Sequence, residues 1–354
     1  MGLFSKTPPK QSYLGFDLGA SGIKIVELMN EKGRARLVTY AHAPLPSGDL
    51  DAALNQDIEA TAALVKKMIT KARCTTKHTI AALPVSSVFS SIISVPAANE
   101  KELKEAIEWQ AKKLIPVPLE EISLDSKTID STGGEGGKKI TRVLLTGAPK
   151  GLVSKYLDLT KRAGLELISL ETEAFAQIRA LIGKDRSSIM VIDIGAMRSN
   201  ISVIEKGIPF LNRSIATGST AVTQMISKTL GIAFEQAENM KRDIRAMQQF
   251  TSGDINPILT TLLKPILDEV RYSFNLYQGQ AEDGQPKHID KIILTGGGAL
   301  LPRLPEFLTS LMNVNAYLGD PWARVVYPVD LRPVLDEIGP RFAVSIGCAM
   351  RDIE

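Results

Sequence analysis

Residues 13–28, YLGFDLGASGIKIVEL, decide how the chain is read. Tyr13, Leu14 and Phe16 lead an apolar strand into Asp17. Gly19, Ala20, Ser21 and Gly22 make a tight turn, and Ile23, Ile25, Val26 and Leu28 carry a second strand outward. A turn of small residues leaves successive backbone N–H groups uncovered, which makes an anion-binding concavity. Asp17 at its entrance is placed to hold a hydrated Mg²⁺, and Lys24 to reach a phosphate oxygen. Taken alone, the stretch is also readable as an ordinary hairpin with a glycine turn.

A second copy changes that balance. Residues 189–205, IMVIDIGAMRSNISVIE, repeat the design: an apolar strand, Asp193, Gly195, Ala196, a short turn with Ser199, then a strand with Ile201 and Val203. Residues 289–301, IDKIILTGGGALL, add a strand running into Gly296, Gly297 and Gly298 with a helix behind. Two Asp-x-Gly hairpins facing each other suit a triphosphate with Mg²⁺ between them. Backbone amides take the phosphate oxygens, Asp17 and Asp193 hold the metal through water, and Gly19 and Gly195 allow close approach. The three glycines let a nucleoside lie against bare backbone at a helix N-terminus. No GxxxxGK[ST] run is present, which argues against a P-loop enzyme.

At 354 residues the chain is long enough for two or more domains, and 44% hydrophobic with 23% charged residues is ordinary globular composition. A formal charge of +3 without a block of like charges argues against nucleic acid as a partner. Cys74 and Cys348 lack metal-ligand spacing and fit a reducing compartment as small core residues. No apolar run is long enough to span a membrane, and the opening MGLFSKTPPK lacks both a signal-peptide core and, because of Lys6, the myristoylation pattern.

Along the chain, residues 34–42 read as a third strand, Leu54 to Ile69 as an amphipathic helix, and 79–83 as a short strand. The texture then changes. A β run at 88–95 precedes a helix opened by Asn99 and Glu102 in capping-box spacing, with Leu103, Ile107 and Leu114 on one face. Pro116 and Pro118 bracket an extended crossover, strands follow at 124–129 and 140–147 around a glycine-rich loop, and a helix runs over 151–163. Trp109 lies off the apolar face, either as a partner contact or as cover for a strand edge. After a strand at 165–170 and a helix at 171–181 comes the second hairpin, with a third strand at 208–217 and helices from Gly218 to Leu230 and over 233–244. A long helix at 257–281, kinked at Pro265, precedes the glycine-run strand, and a last helix spans 341–351. The repeated order predicts two related α/β units facing one another across a cleft.

DLGASGIKIVEL, DIGAMRSNISVIE and LTGGGALL resemble the phosphate-1, phosphate-2 and adenosine motifs of the actin/hexokinase/heat-shock-chaperone ATPase superfamily. The resemblance implies a bilobed actin-like α/β fold with ATP or ADP and Mg²⁺ between lobes. It implies that Lys24 contacts phosphate and that Glu238, Lys241 and Arg242 border adenine; a solvated helix face is the other reading of those three. Glu171, with Glu173 beside it, matches the position that orients the attacking water in the chaperone branch, or is structural. The insertion lies where FtsA-like proteins carry their 1C subdomain. The expected division is residues 1–84, 164–187 and 336–354 for lobe 1, with 85–163 as the α+β insert. Residues 188–218 and 285–335 form lobe 2, and 219–284 its outer subdomain.

GLFSKTPPKQSYLGFDLGASGIKIVEL, KKLIPVPLEEISLD, ISLETEAFA and LTGGGALLPRLPEFL are similar to the PilM family of cytoplasmic, actin-like type IV pilus assembly proteins. That resemblance implies ATP binding with weak or absent turnover, and a groove between lobe 1 and the insert for the N-terminal peptide of the inner-membrane protein PilN. Contacts with pilus assembly or retraction ATPases and self-association are further expectations, with the chain held peripherally at the inner membrane by its partner. Trp109 and Gln110 stand where the family pattern suggests smaller or acidic residues. The competing readings are an FtsA-like membrane-tethered filament former and a small-molecule kinase; a chaperone fits least, with no substrate-binding domain after the ATPase core.

Overall fold

The computed structural model describes residues 11–45, 50–97, 99–133, 139–243, 256–280 and 286–353. The opening decapeptide, most of the glycine-rich loop after residue 133, and the expected loops at 250–257 and 282–287 lie wholly or mainly outside those residues.

Strand β1 (Ser12–Gly19) is buried at every position from Tyr13 to Leu18, because both of its faces are covered. That is why it reads as a near-continuous apolar run rather than an alternation. It pairs antiparallel with β2 (Gly22–Glu31), which pairs antiparallel with β3 (Arg34–Ala43). On its other side run the parallel strands β4 (His78–Leu83) and β8 (Glu166–Thr172). Helices α1 (Leu50–Asn55), α2 (Ile58–Ala72) and α4 (Lys150–Ala163) cover one face over Leu14, Phe16, Ile23 and Ile25. Helix α11 (Arg332–Met350) covers the other over Tyr13, Val26 and Leu28.

The second sheet repeats this plan: β9 (Ile189–Ile194), β10 (Ser199–Glu205) and β11 (Ile208–Ile215) are antiparallel neighbours, and β12 (Lys291–Thr295) and β13 (Ala316–Leu318) extend it in parallel. The spatial orders β3-β2-β1-β4-β8 and β11-β10-β9-β12-β13 are the same, so the expected internal duplication is realised. Around the second sheet pack α6 (Ser219–Leu230), α7 (Phe234–Arg242), α8 (Asn256–Leu262), α9 (Lys264–Gln278) and α10 (Leu304–Met312).

The insert is a three-stranded antiparallel sheet ordered β5-β7-β6 (Phe89–Ala97, Lys139–Pro149 and Ile122–Gly133) with α3 (Glu100–Leu114) against it. β5 runs through Pro96 rather than stopping before it, since it is an edge strand. Asn99 caps α3, its Oδ1 accepting from Glu102 N–H at 3.0 Å. The buried face of α3 is Leu103, Ile107 and Ala111; Leu114, expected there, is 41% exposed where the helix runs out before Pro116. Trp109 is 55% exposed, with the Lys113 ammonium 3.3 Å over its ring.

Four further expectations are corrected. The helix foreseen at 257–281 is α8 and α9, separated at Leu263; Pro265 lies in the first turn of α9, where its missing N–H is harmless, so it starts a helix instead of kinking one. The helix foreseen at 171–181 begins only at Glu173, as α5 (Glu173–Gln177) followed by a π-helical turn, Ile178–Ile182. The last helix begins at Arg332, not Arg341, and contains Pro340. Finally, Val325–Val326 forms strand β14 on β3, and Trp322 is buried in the first lobe's core, so the chain has rejoined lobe 1 before residue 336.

Helices α5 and α11 pack on one another and link the two sheets. The π-helical turn after α5 buries Ile178 against Ile189, Val191 and Ile293 of the second sheet. From α11, the Pro340 carbonyl accepts from Gly296 N–H and from Thr295 Oγ1, both at 2.9 Å. Among the described residues no helix is long and apolar enough to cross a membrane.

Candidate functional site

The two hairpins, the glycine run and α11 enclose a cleft of ≈ 1120 Å³ between the lobes. Asp17, Gly19, Ala20, Ser21 and Lys24 line it from lobe 1, and Asp193, Gly195, Ala196, Gly296, Gly297 and Gly298 from lobe 2. Glu238, Lys241 and Arg242 line it from α7. These fourteen residues, all singled out in the sequence, thus reach one cavity, whereas Ser199 and Glu171 do not.

Ser199 is fully buried and its hydroxyl donates to the Thr217 carbonyl at 2.8 Å, pinning the second hairpin to the end of β11. Glu171, the last-but-one residue of β8, grips Arg179 through two hydrogen bonds of 2.8 and 2.7 Å. Arg179 also donates to the Gly347 carbonyl, so this pair ties α11 down and is not part of the cleft. Glu173 is the acid that lines the cavity, together with Gln177 one turn further along.

The hairpins place their acids equivalently. Asp17 faces Lys24 across β1 and β2, and Asp193 faces Asn200 across β9 and β10. Lys24 Nζ donates to Asp17 Oδ2 at 2.9 Å, with both side chains under a tenth exposed. Gln177 Nε2 donates to Asp193 Oδ2 at 2.6 Å. Glu173 Oε2 accepts from Val85 N–H at 3.0 Å and from Asn200 Nδ2 at 3.2 Å. Burial, then the charges of Asp193 and Asp17, push Glu173 up to about 8. Burial pushes Asp193 to about 6, against the hydrogen bond from Gln177, with Asp17 adding to the rise.

The glycines of the run have separate reasons. Gly296 has φ +83°, and a Cβ there would meet Asp193 Oδ1 at 2.3 Å. A Cβ on Gly298 would strike Ile194 Cγ2 at 2.3 Å, so this glycine serves packing on β9; a Cβ on Gly297 would sit 3.5 Å from Arg341 Nε. The segment after Gly296 is a 3₁₀ turn, Gly297–Leu300, before α10.

On α7, Glu238 accepts from Thr223 Oγ1 at 2.5 Å, Lys241 at 2.7 Å and Arg242 at 2.8 Å. Burial raises its carboxyl, but these donors outweigh burial and hold it at about 2. The set is therefore a built cluster on the cleft wall. Arg341 of α11 lines the same cleft, and its Nε is buried without a hydrogen-bond partner, as is Asn200 Oδ1. Arg341, Asn200 and Gln177 escaped sequence reading. Only the spacing of Asn200, seven residues after Asp193 as Lys24 follows Asp17, offered a signal.

These residues fit a magnesium nucleotide. The walls carry glycine backbone, Asn200 Oδ1 and Arg341 Nε are buried there without partners, and carboxylates crowd until burial and mutual repulsion raise two of them. Among the described residues no group of three or more His, Cys, Asp or Glu is arranged to hold a metal.

A pH dependence follows from the raised acids. Glu173 (about 8, against 4.5) binds a proton in the folded ligand-free chain that the unfolded chain releases. Folding stability is therefore greatest below about pH 4.5 for this group and falls as pH rises to about 8. Glu173→Gln is expected to flatten that fall, being more stable than wild type at alkaline pH by on the order of 2 kcal/mol in urea melts. An unchanged slope in the variant would count against the buried acid.

The family model described as "Type IV pilus assembly protein PilM" matches residues 15–353. A solved PilM-PilN type IV pilus biogenesis complex is similar over 98% of this chain and 100% of that one, at 27% identity and a TM-score of 0.82. MreB5 of Spiroplasma citri, solved with ADP, shares the fold at TM-score 0.51 and 14% identity, covering 96% of this chain and 95% of its own. Among curated proteins, the cell division protein FtsA of Neisseria meningitidis serogroup B is 22% identical over 385 aligned positions, 96% of this chain and 89% of its own. With the actin-like fold, the paired hairpins and a family match spanning nearly the whole length, the chain belongs to the family of the type IV pilus assembly protein PilM.

Proposed function

We propose that this chain is an ATP·Mg²⁺-binding adaptor of type IV pilus assembly. It takes the short cytoplasmic N-terminal peptide of PilN between lobe 1 and the insert, and it couples nucleotide state to that partner at the inner-membrane face. The observation that supports it most is the similarity, over nearly the full chain, to a structure of PilM with PilN. Asp17 and Asp193 would hold the metal, Lys24 would contact a phosphate oxygen, and the turns 19–21 and 195–196 would offer backbone N–H groups to the phosphates. Glu238, Lys241, Arg242 and Arg341 border the base and ribose. Mg²⁺ bound with the nucleotide would supply the positive charge that offsets Asp17 and Asp193.

Turnover is weak in this reading. Of the polar side chains that would orient a water, Glu173 has one oxygen on Val85 and Asn200, and Gln177 has its amide nitrogen on Asp193. The FtsA relatives support a second reading, a membrane-tethered filament former, which co-sedimentation with liposomes and ATP separates from the first.

Calorimetric titration of a synthetic PilN N-terminal peptide, with and without ATP·Mg²⁺, tests the adaptor. Saturable binding whose affinity differs between the two conditions is expected, since linkage requires reciprocal effects. Absence of saturation in both conditions would remove the adaptor reading.

A further inference from the structure

Glu173 joins three parts of the molecule through one oxygen. It stands at the start of α5 on the lobe 1 side, accepts from Asn200 of lobe 2, and accepts from Val85 N–H, the first residue of the insert. Asn200 is the cross-strand neighbour of Asp193, so any shift of the second hairpin on closure moves the donor on Glu173. Val85 opens a single 3₁₀ turn, Val85–Ser87, held by bonds from Ser87 N–H to Pro84 O at 3.0 Å and Val88 N–H to Val85 O at 3.4 Å. That turn is easily displaced, because a short 3₁₀ segment has poor hydrogen-bond geometry.

Room for displacement exists beside it. A gap of ≈ 230 Å³ lies between Val85, Val88, Phe89 and Ser90 of the insert, Thr172 of β8 and Asn212 of β11. Asn212 Oδ1 is buried there without a partner, so the seam between insert and lobe 2 is neither close-packed nor fully satisfied. A second tie reaches the same helix: Lys127 Nζ of β6 stands 5.9 Å from the Phe175 ring, two residues after Glu173.

We propose that Glu173 is the positioning residue that transmits lobe closure to the insert, by holding Asn200 and Val85 on the same carboxylate oxygen. The proposal rests on the nucleotide reading above and deepens it by naming the link from cleft to partner-bearing subdomain. When the lobes close, Asn200 moves with the second hairpin, the shared acceptor is pulled, and the Val85–Ser90 segment shifts into the adjacent gap.

The test is hydrogen exchange of peptides spanning 85–97 in the full chain, with and without saturating ATP·Mg²⁺, in wild type, Glu173→Ala, Glu173→Gln and Asn200→Ala. Wild type is expected to change its exchange rate there with nucleotide by roughly two- to tenfold, the worth of one hydrogen bond. Glu173→Ala and Asn200→Ala are expected to lose that difference. Glu173→Gln keeps it, because the amide oxygen still accepts both donors. A purely structural glutamate would raise exchange equally in both states and leave the nucleotide difference in place, which overturns the proposal. So does a wild type that binds nucleotide without any change at 85–97. A wild type that binds no nucleotide defeats the underlying reading instead, and calorimetry on the same sample separates the two.

Discussion

Gly347→Ala is expected to destabilise the protein by about 3 kcal/mol or more. A Cβ built there lies 1.9 Å from the Ala176 carbonyl oxygen and 2.4 Å from its carbon, both backbone atoms. Here α11 crosses α5, the two helices that join the lobes, so neither backbone can give way without moving a sheet. Gly15→Ala meets the same obstacle from β1, with its Cβ 1.7 Å from the Ser345 carbonyl oxygen. Gly151→Ala is the control: its Cβ meets nothing within 4 Å. In the first turn of α4 it is expected to gain on the order of 0.5 kcal/mol. Denaturant melts of the three variants decide the matter, and a Gly347→Ala midpoint at the wild-type value would mean the helices are not in backbone contact.

Asp193→Ala and Asp17→Ala carry the second large effect. Each is expected to weaken ATP·Mg²⁺ binding by roughly 10- to 100-fold, the usual cost of removing a group that orients metal-bound water. Their side effects differ. Asp17→Ala leaves the Lys24 ammonium, 7% exposed, without its carboxylate, and costs about 3 kcal/mol of stability while the fold persists. Asp193→Ala frees Gln177 and removes a neighbouring negative charge from Glu173, whose pKa falls from about 8. Unchanged nucleotide affinity in both variants would dismiss them as metal holders.

The sequence revealed the parts in which backbone geometry dictates residue type. Asp-Leu-Gly-Ala and Asp-Ile-Gly-Ala needed small residues where the chain turns, and the glycine run needed φ +83° at Gly296 and contact with Ile194 at Gly298. The insert announced itself through prolines and a helix start that the structure realises as an N-cap at Asn99. Elsewhere the determining contacts are tertiary. Whether Glu171 or Glu173 enters the cleft depends on where β8 yields to α5, and a two-residue shift of that boundary exchanges their surroundings. Arg341 was legible only as the first residue of the last helix; that it lines the cleft depends on how the whole helix, Arg332–Met350, lies between the lobes. That helix accommodates the Pro340 ring, and the Pro340 carbonyl binds Thr295 and Gly296. Strand β14 has two residues, too few for any period to show.

Direct titration of ATP into the 354-residue chain, with Mg²⁺ present and then chelated, bears most immediately on the cleft. One saturable site per chain, strengthened by Mg²⁺ and displaced by ADP, is the predicted result. Heat that never saturates at millimolar ATP, or binding indifferent to both Mg²⁺ and ADP, would contradict the account.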